Sequence, residues 1–197
     1  MKSIFILLAT ILILTTNIHS QTELVKKPDF RETTWGMSPQ EVENVETAQF
    51  NSESGTLENI LIYDATVGGL NAYIVYRFVK NKLVNASYVF KETHSNRTEF
   101  INDYYKLQKI LIQKYGVPAE DDKLWYDDLY KDDPQNWGMA IAVGHLAYQS
   151  IWENIQTDIL LMLRGDNYEI QLSITYKSVE LQYLIEEEKK AKNMDDF

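Results

Sequence analysis

Residues 168–177, Y-E-I-Q-L-S-I-T-Y-K, alternate without a break. Tyr168, Ile170, Leu172, Ile174 and Tyr176 fall on one side of an extended chain; Glu169, Gln171, Ser173, Thr175 and Lys177 fall on the other. A period of two with one apolar and one polar side marks a β-strand with one dry and one wet face. Gly165-Asp166-Asn167 tolerate positive φ, so this run and the apolar run before it read as a hairpin. A sheet wetted on one side is ordinarily antiparallel, with its other side covered. The expected fold is therefore α+β: an antiparallel β-meander sheet of six to eight strands with helices packed on one face.

The rest of the chain fills in that plan. Ser38, Pro39 and Glu41 form a capping box with proline at the first helical position, which predicts a helix over 39–47. A polar loop at 51–55 leads to strands at 57–67, 70–80 and 82–91, with Gly68-Gly69 and Asn81 at their turns. Asn96 and Glu99 open the main helix, in which Phe100, Tyr104, Leu107 and Leu111 form one apolar stripe; Gly116 and Pro118 end it. A short strand near 124–126, a long strand at 138–152 and a last helix capped by Ser178 complete the reading. Residues 29–193 are expected to form a single domain with two halves, 29–116 and 117–193, each a helix followed by antiparallel strands.

Targeting constrains function more than any other feature. Lys2 precedes an almost unbroken apolar run at 4–14, and a polar stretch ends at Ser20. That is the layout of a secretory signal peptide at 1–20, with a flexible lead-in at 21–28. The apolar run is shorter than the ~18–20 residues that cross a bilayer, so no transmembrane segment is expected after its removal. The chain has no cysteine, which rules out a cysteine-linked lipid anchor and leaves stability to the core rather than to disulfides. Its formal net charge is −10 and no basic cluster offsets it. Nucleic acid and anionic lipid surfaces, which need concentrated Lys and Arg, are poor partners. The expected location is periplasmic or extracellular.

Asp29-Phe30-Arg31 and Trp35-Gly36-Met37-Ser38-Pro39-Gln40-Glu41-Val42 resemble a segment of an uncharacterised family of exported bacterial proteins, F-R-x-x-x-W-G-M-S-x-x-E-V. Tyr88-Val89-Phe90 before the Asn96 helix, and the run 127–137, extend the likeness. The helix-start motif also resembles, distantly, the small lipoprotein of the outer-membrane β-barrel assembly machinery, where such a segment starts a helix packed on a three-stranded sheet. This chain departs from that lipoprotein in lacking the lipid-bearing cysteine and in being longer. The resemblance implies an envelope setting and brings no activity or catalytic residue.

Candidate sites centre on the acidic, aromatic segment 119–137. Trp125, Tyr126, Tyr130 and Trp137 beside carboxylates suit peptide or glycan binding. Asp127, Asp128, Asp132 and Asp133 place oxygens where calcium could be held, although the sixth position of an EF-hand loop started at Asp128 is Asp133 rather than glycine. His145, on the apolar side of the expected strand, and His94, in a loop, are the candidate general bases for a hydrolase that would use an acidic-loop aspartate. No helical His spacing for zinc, no Gly-x-Ser-x-Gly, no phosphate-binding loop and no dinucleotide fingerprint occurs, and no cofactor is called for. The reading carried forward is a non-enzymatic binding role toward an envelope protein or glycan; its alternatives are that hydrolase and a calcium- or glycan-binding module.

Overall fold

Leu172, Ile174 and Tyr176 are buried while Ser173, Thr175 and Lys177 are half-exposed, as the alternation requires. They lie on the last strand of a computed structural model that describes residues 27–51 and 58–195. The expected signal peptide at 1–20, most of the expected lead-in at 21–28 and most of the expected polar loop at 51–55 lie outside the described residues. In chain order the elements are α1 (Pro39–Val45), β1 (Gln49–Phe50), β2 (Ile60–Val67), β3 (Leu70–Val79), β4 (Lys82–Phe90) and α2 (Glu99–Tyr115). They continue with β5 (Glu120–Trp125), α3 (Trp137–Ala142), β6 (Leu146–Trp152), β7 (Thr157–Asp166), β8 (Glu169–Ser178) and α4 (Gln182–Asp195). The strands form one antiparallel sheet in the order β1-β2-β3-β4-β8-β7-β6-β5. The fold is thus α+β, built of two meanders joined by the β4–β8 pair.

Register sets the core. Ser150, Leu161, Ile174, Tyr88, Ile74 and Tyr63 stand opposite one another across six strands, and all are buried. The expected stripe of α2 (Phe100, Tyr104, Leu107 and Leu111) packs on this row, joined by Val42 of α1 and Ile141 of α3. α4 docks at a corner of the reverse face. There Leu181, Leu184 and Ile185 meet Val79 and Val84, and Glu188 and Gln182 hold Arg77 and Asp158. Three hairpin turns carry paired positive φ values, at Gly68-Gly69, Lys80-Asn81 and Asn167-Tyr168, the condition for the turns whose twist matches the strands.

The segment 29–38 is a structural clasp. The Phe30 ring is buried against Tyr88 and Tyr176, with centroids 5.0 and 4.9 Å away. Gly36 N donates to Leu83 O, Leu83 N donates to Met37 O, and Trp35 Nε1 donates to Thr157 Oγ1 at 2.8 Å. Ser38 and Glu41 complete the expected capping box. Arg31 donates twice to Glu46, at 2.8 and 2.9 Å. Burial works to raise the Glu46 carboxyl, but hydrogen bonds from Arg31, Tyr76 and the Ala48 backbone outweigh it and hold the group below its ordinary value.

Four local expectations are corrected. Residues 138–152 are not one strand: α3 comes first, Gly144 turns the chain at φ +80, and β6 starts at Leu146. The run G-M-A-I-A-V has no polar alternation, so its period does not separate helix from strand. Gly138 permits the helical packing, since a Cβ there would lie 2.7 Å from the backbone of Arg97 and Thr98. Gly165 is not a turn residue either. It remains within β7, paired with Ile170, and its missing Cβ lets the Ile141 carbonyl approach; the turn falls on Asn167 and Tyr168, so Tyr168 is exposed rather than on the dry face. α2 starts two residues later than Asn96 suggests, with Asn96 Oδ1 accepting from Thr98 N instead. β5 begins at Glu120, earlier than expected, so its carboxylates lie on a strand.

Two outcomes follow from this packing. A Cβ on Gly165 would sit 2.3 Å from Ile141 O and 2.9 Å from its carbonyl carbon. Overpacking of this kind costs about 1–3 kcal/mol, so Gly165→Ala should lower the urea midpoint at unchanged slope; an unchanged midpoint contradicts the close α3–β7 contact. Because the folded Glu46 carboxyl is depressed from 4.5, its contribution is present above that pH and is lost as pH falls through the folded value. Glu46→Gln should therefore be less stable at neutral pH and decline less steeply below pH 4.5 in urea titrations. Equal slopes for the two proteins would contradict the account.

Candidate functional site

β5 leads directly into the acidic loop, and backbone bonds fix where it leaves the sheet. Tyr126 N and Asp127 N both donate to His145 O, at 2.8 and 3.4 Å. This doubled contact is a bulge, which bends the strand end outward. From there the loop is held by its own polar groups. Leu129 N donates to Asp127 Oδ1 at 2.8 Å, Lys131 Nζ meets Asp128 Oδ1 at 3.0 Å, and Asn136 Nδ2 donates to Asp133 Oδ2 at 2.7 Å. A short side-chain-to-backbone bond like that of Asp127 favours a turn over regular structure, and a single 3-10 turn at Pro134–Asn136 then feeds α3.

The four candidate aromatics divide into two roles. Trp125 and Trp137 meet edge to face at 5.8 Å, Trp137 Nε1 donates to Lys131 O, and Tyr130 lies over His145 at 5.8 Å. These three are half-buried and anchor the loop. Tyr126 is the displayed one, 69% exposed, and Leu129 beside it is 71% exposed. Leu129 escaped sequence reasoning; its signal was a single large apolar residue within the acidic run Asp127-Asp128-Leu129-Tyr130-Lys131-Asp132-Asp133. Tyr126 and Leu129 are thus both held out to solvent from an anchored loop whose sequence neighbours Asp127, Asp128, Asp132 and Asp133 are carboxylates.

The calcium candidates Asp127, Asp128 and Asp133 spend oxygens on the loop's own donors. Among the described residues no group of three His, Cys, Asp or Glu side chains is placed to hold a metal ion. His145 lies in the turn after α3, not on a strand, and its Nδ1 is a buried atom with no hydrogen bond, 3.6 Å from Asp127 Oδ1. The other histidine finds its carboxylate elsewhere. His94 Nε2 lies 2.7 Å from Asp103 Oδ2 of α2, with its ring edge-on to Phe100 at 4.7 Å. A shallow cavity of about 570 Å³, bordered by Glu92, Arg97 and Glu169, adjoins that pair, and no residue of the acidic loop lines it. Among the described residues neither histidine hydrogen-bonds a hydroxyl.

A polar network ties β5 to the helical layer. Asp121 Oδ1 accepts from Gln108 Nε2 at 2.7 Å and from Ser150 Oγ at 2.9 Å, and Tyr104 OH lies 2.6 Å from Ser150 Oγ. Ser150 and Gln108 are buried while Asp121 is exposed, so the network pins the edge strand to α2 from its inner side. Comparison with known protein families, with curated proteins and with solved structures returns no match for this chain.

Proposed function

We propose that this chain is an exported, non-enzymatic binding module of the bacterial envelope or extracellular space, and that segment 119–137 is the surface that holds a partner protein. The observation that carries the reading is the display of Tyr126 and Leu129 on a loop whose other aromatics are packed as anchors. A preorganised apolar patch loses little entropy on binding, and tyrosine is favoured at interface centres. The leader-like residues 1–20 and the resemblance of the 29–42 motif to exported proteins support the location. Carboxylates around the patch favour a partner with complementary positive charge.

The test is in-cell photo-crosslinking from position 126, compared with the same experiment in a Leu129→Ala background. A discrete protein adduct in envelope fractions, lost or strongly reduced by Leu129→Ala, is expected. Leu129 is exposed, so its truncation should shift stability by no more than about 0.5 kcal/mol. An adduct unaffected by Leu129→Ala, or recovery of the chain in the cytosol with residues 1–20 attached, contradicts the proposal. Crosslinking to polysaccharide alone would replace the protein partner by a glycan.

A further inference from the structure

Among the described residues β5 is the last strand of the sheet and hydrogen-bonds to β6 alone. The register pairs Glu120 with Ile151, Asp122 with Gln149 and Leu124 with Ala147. The bond from Tyr126 N to His145 O fixes the phase of the ladder. Residues 120, 122 and 124 therefore turn their backbone groups toward β6, and Asp121, Lys123 and Trp125 turn theirs away from the sheet. The opposite edge is the two-residue β1, so β5 is the longer of the two edges.

We propose that this edge docks an extended, lysine- or arginine-bearing segment of a partner protein, which adds to the sheet as a further antiparallel or parallel strand. Native proteins ordinarily defend an edge with charged side chains, especially lysine, or with prolines, bulges or cover, and the carboxylates of β5 repel a like-charged strand but not a basic one. Here the strand contains no proline, and its one lysine is folded back: Lys123 Nζ sits 4.4 Å from the centre of the Trp137 ring and 5.5 Å from that of Tyr148. The charges beside the outward backbone are carboxylates. Glu120, Asp121 and Asp122 are on the strand, with Asp127 and Asp128 just beyond it, and Glu120 to Lys123 are all exposed. Strand addition supplies backbone hydrogen bonds, and side chains at alternate positions supply selectivity. A basic segment satisfies both, whereas a second copy of this chain brings its own carboxylates against these and is disfavoured. The bonds from Gln108 and Ser150 to Asp121 hold the edge in strand geometry before a partner arrives.

This inference rests on the binding role of segment 119–137, with Tyr126 and Leu129 forming the apolar end of the same surface. The test titrates the full chain with a short synthetic peptide alternating lysine and valine, and follows amide hydrogen exchange. Protection of the Asp121, Lys123 and Trp125 amides is expected, weakening as salt is raised, while a glutamate–valine peptide gives none. Lys123→Pro removes an outward donor without breaking a bond to β6. It should weaken the peptide by at least about tenfold, or 1.4 kcal/mol, whereas Lys123→Ala, which loses only the ring contacts, should not.

Unprotected amides on the wild-type chain, or equal binding by the proline and alanine variants, overturns the inference. So does concentration-dependent protection without peptide accompanied by dimer in sedimentation, which would assign the edge to a second copy. A partner that needs Leu129 but ignores Lys123→Pro leaves the loop reading standing and removes the strand addition. Indifference to both removes both.

Discussion

The β4–β8 pair is the seam on which the molecule depends. Residues 85–89 of one meander run antiparallel to 173–177 of the other, with Ala86 opposite Tyr176 and Tyr88 opposite Ile174. Side chains from distant parts of the sequence converge there. Phe30 of the N-terminal clasp lies against both Tyr88 and Tyr176, and Tyr115 at the end of α2 meets Tyr176 at 6.4 Å. Aromatic contacts of this kind add to the burial they accompany. The result is one continuous core cluster containing residues of both meanders, from Tyr63 on β2 to Tyr148 on β6.

Joining the meanders through their last strands decides what is left outside. Each meander's first strand becomes an edge, so β1 and β5 flank the sheet and the connections after α1 and α2 lie beside them. β1 is too short to offer much backbone. β5 is longer, rigidly tied to α2, and continues into the one loop that displays Tyr126 and Leu129. The reverse face follows the same logic: Tyr73, Val75, Val89, Leu160 and Met162 remain half-buried there, with α4 at one corner. Topology, rather than any single side chain, thus puts the exposed carboxylates of β5 and the displayed Tyr126 and Leu129 at one end of the sheet.

The sheet, its hairpins and the stripe of α2 were legible because each is written as a period. Leu172, Ile174 and Tyr176 repeat every two residues, and Phe100, Tyr104, Leu107 and Leu111 recur at helical spacing. Gly68-Gly69 and the Ser38–Glu41 box are local signals that tertiary packing did not override. Features that depend on close approach between distant segments left no such mark. Gly165 looks like a turn residue until Ile141 is placed over it, and α3 is an unbroken apolar run with no preferred period. At the candidate site, the aromatics and aspartates of 125–137 were visible as composition. Which of them anchor and which are displayed depended on Trp125 meeting Trp137 and Tyr130 meeting His145. The pairing of His94 with Asp103 crosses a loop-to-helix contact that spacing alone does not encode.

If the β4–β8 seam makes the two meanders one cooperative unit, their slowest amides should be released together. Native-state hydrogen exchange across a urea series measures this residue by residue. The account predicts that amides at 85–89 and 173–177, with those of β3 and β7, exchange at a common free energy equal to that of global unfolding. Exchange of one meander's strands at a distinctly lower free energy, while the other stays protected, would contradict it.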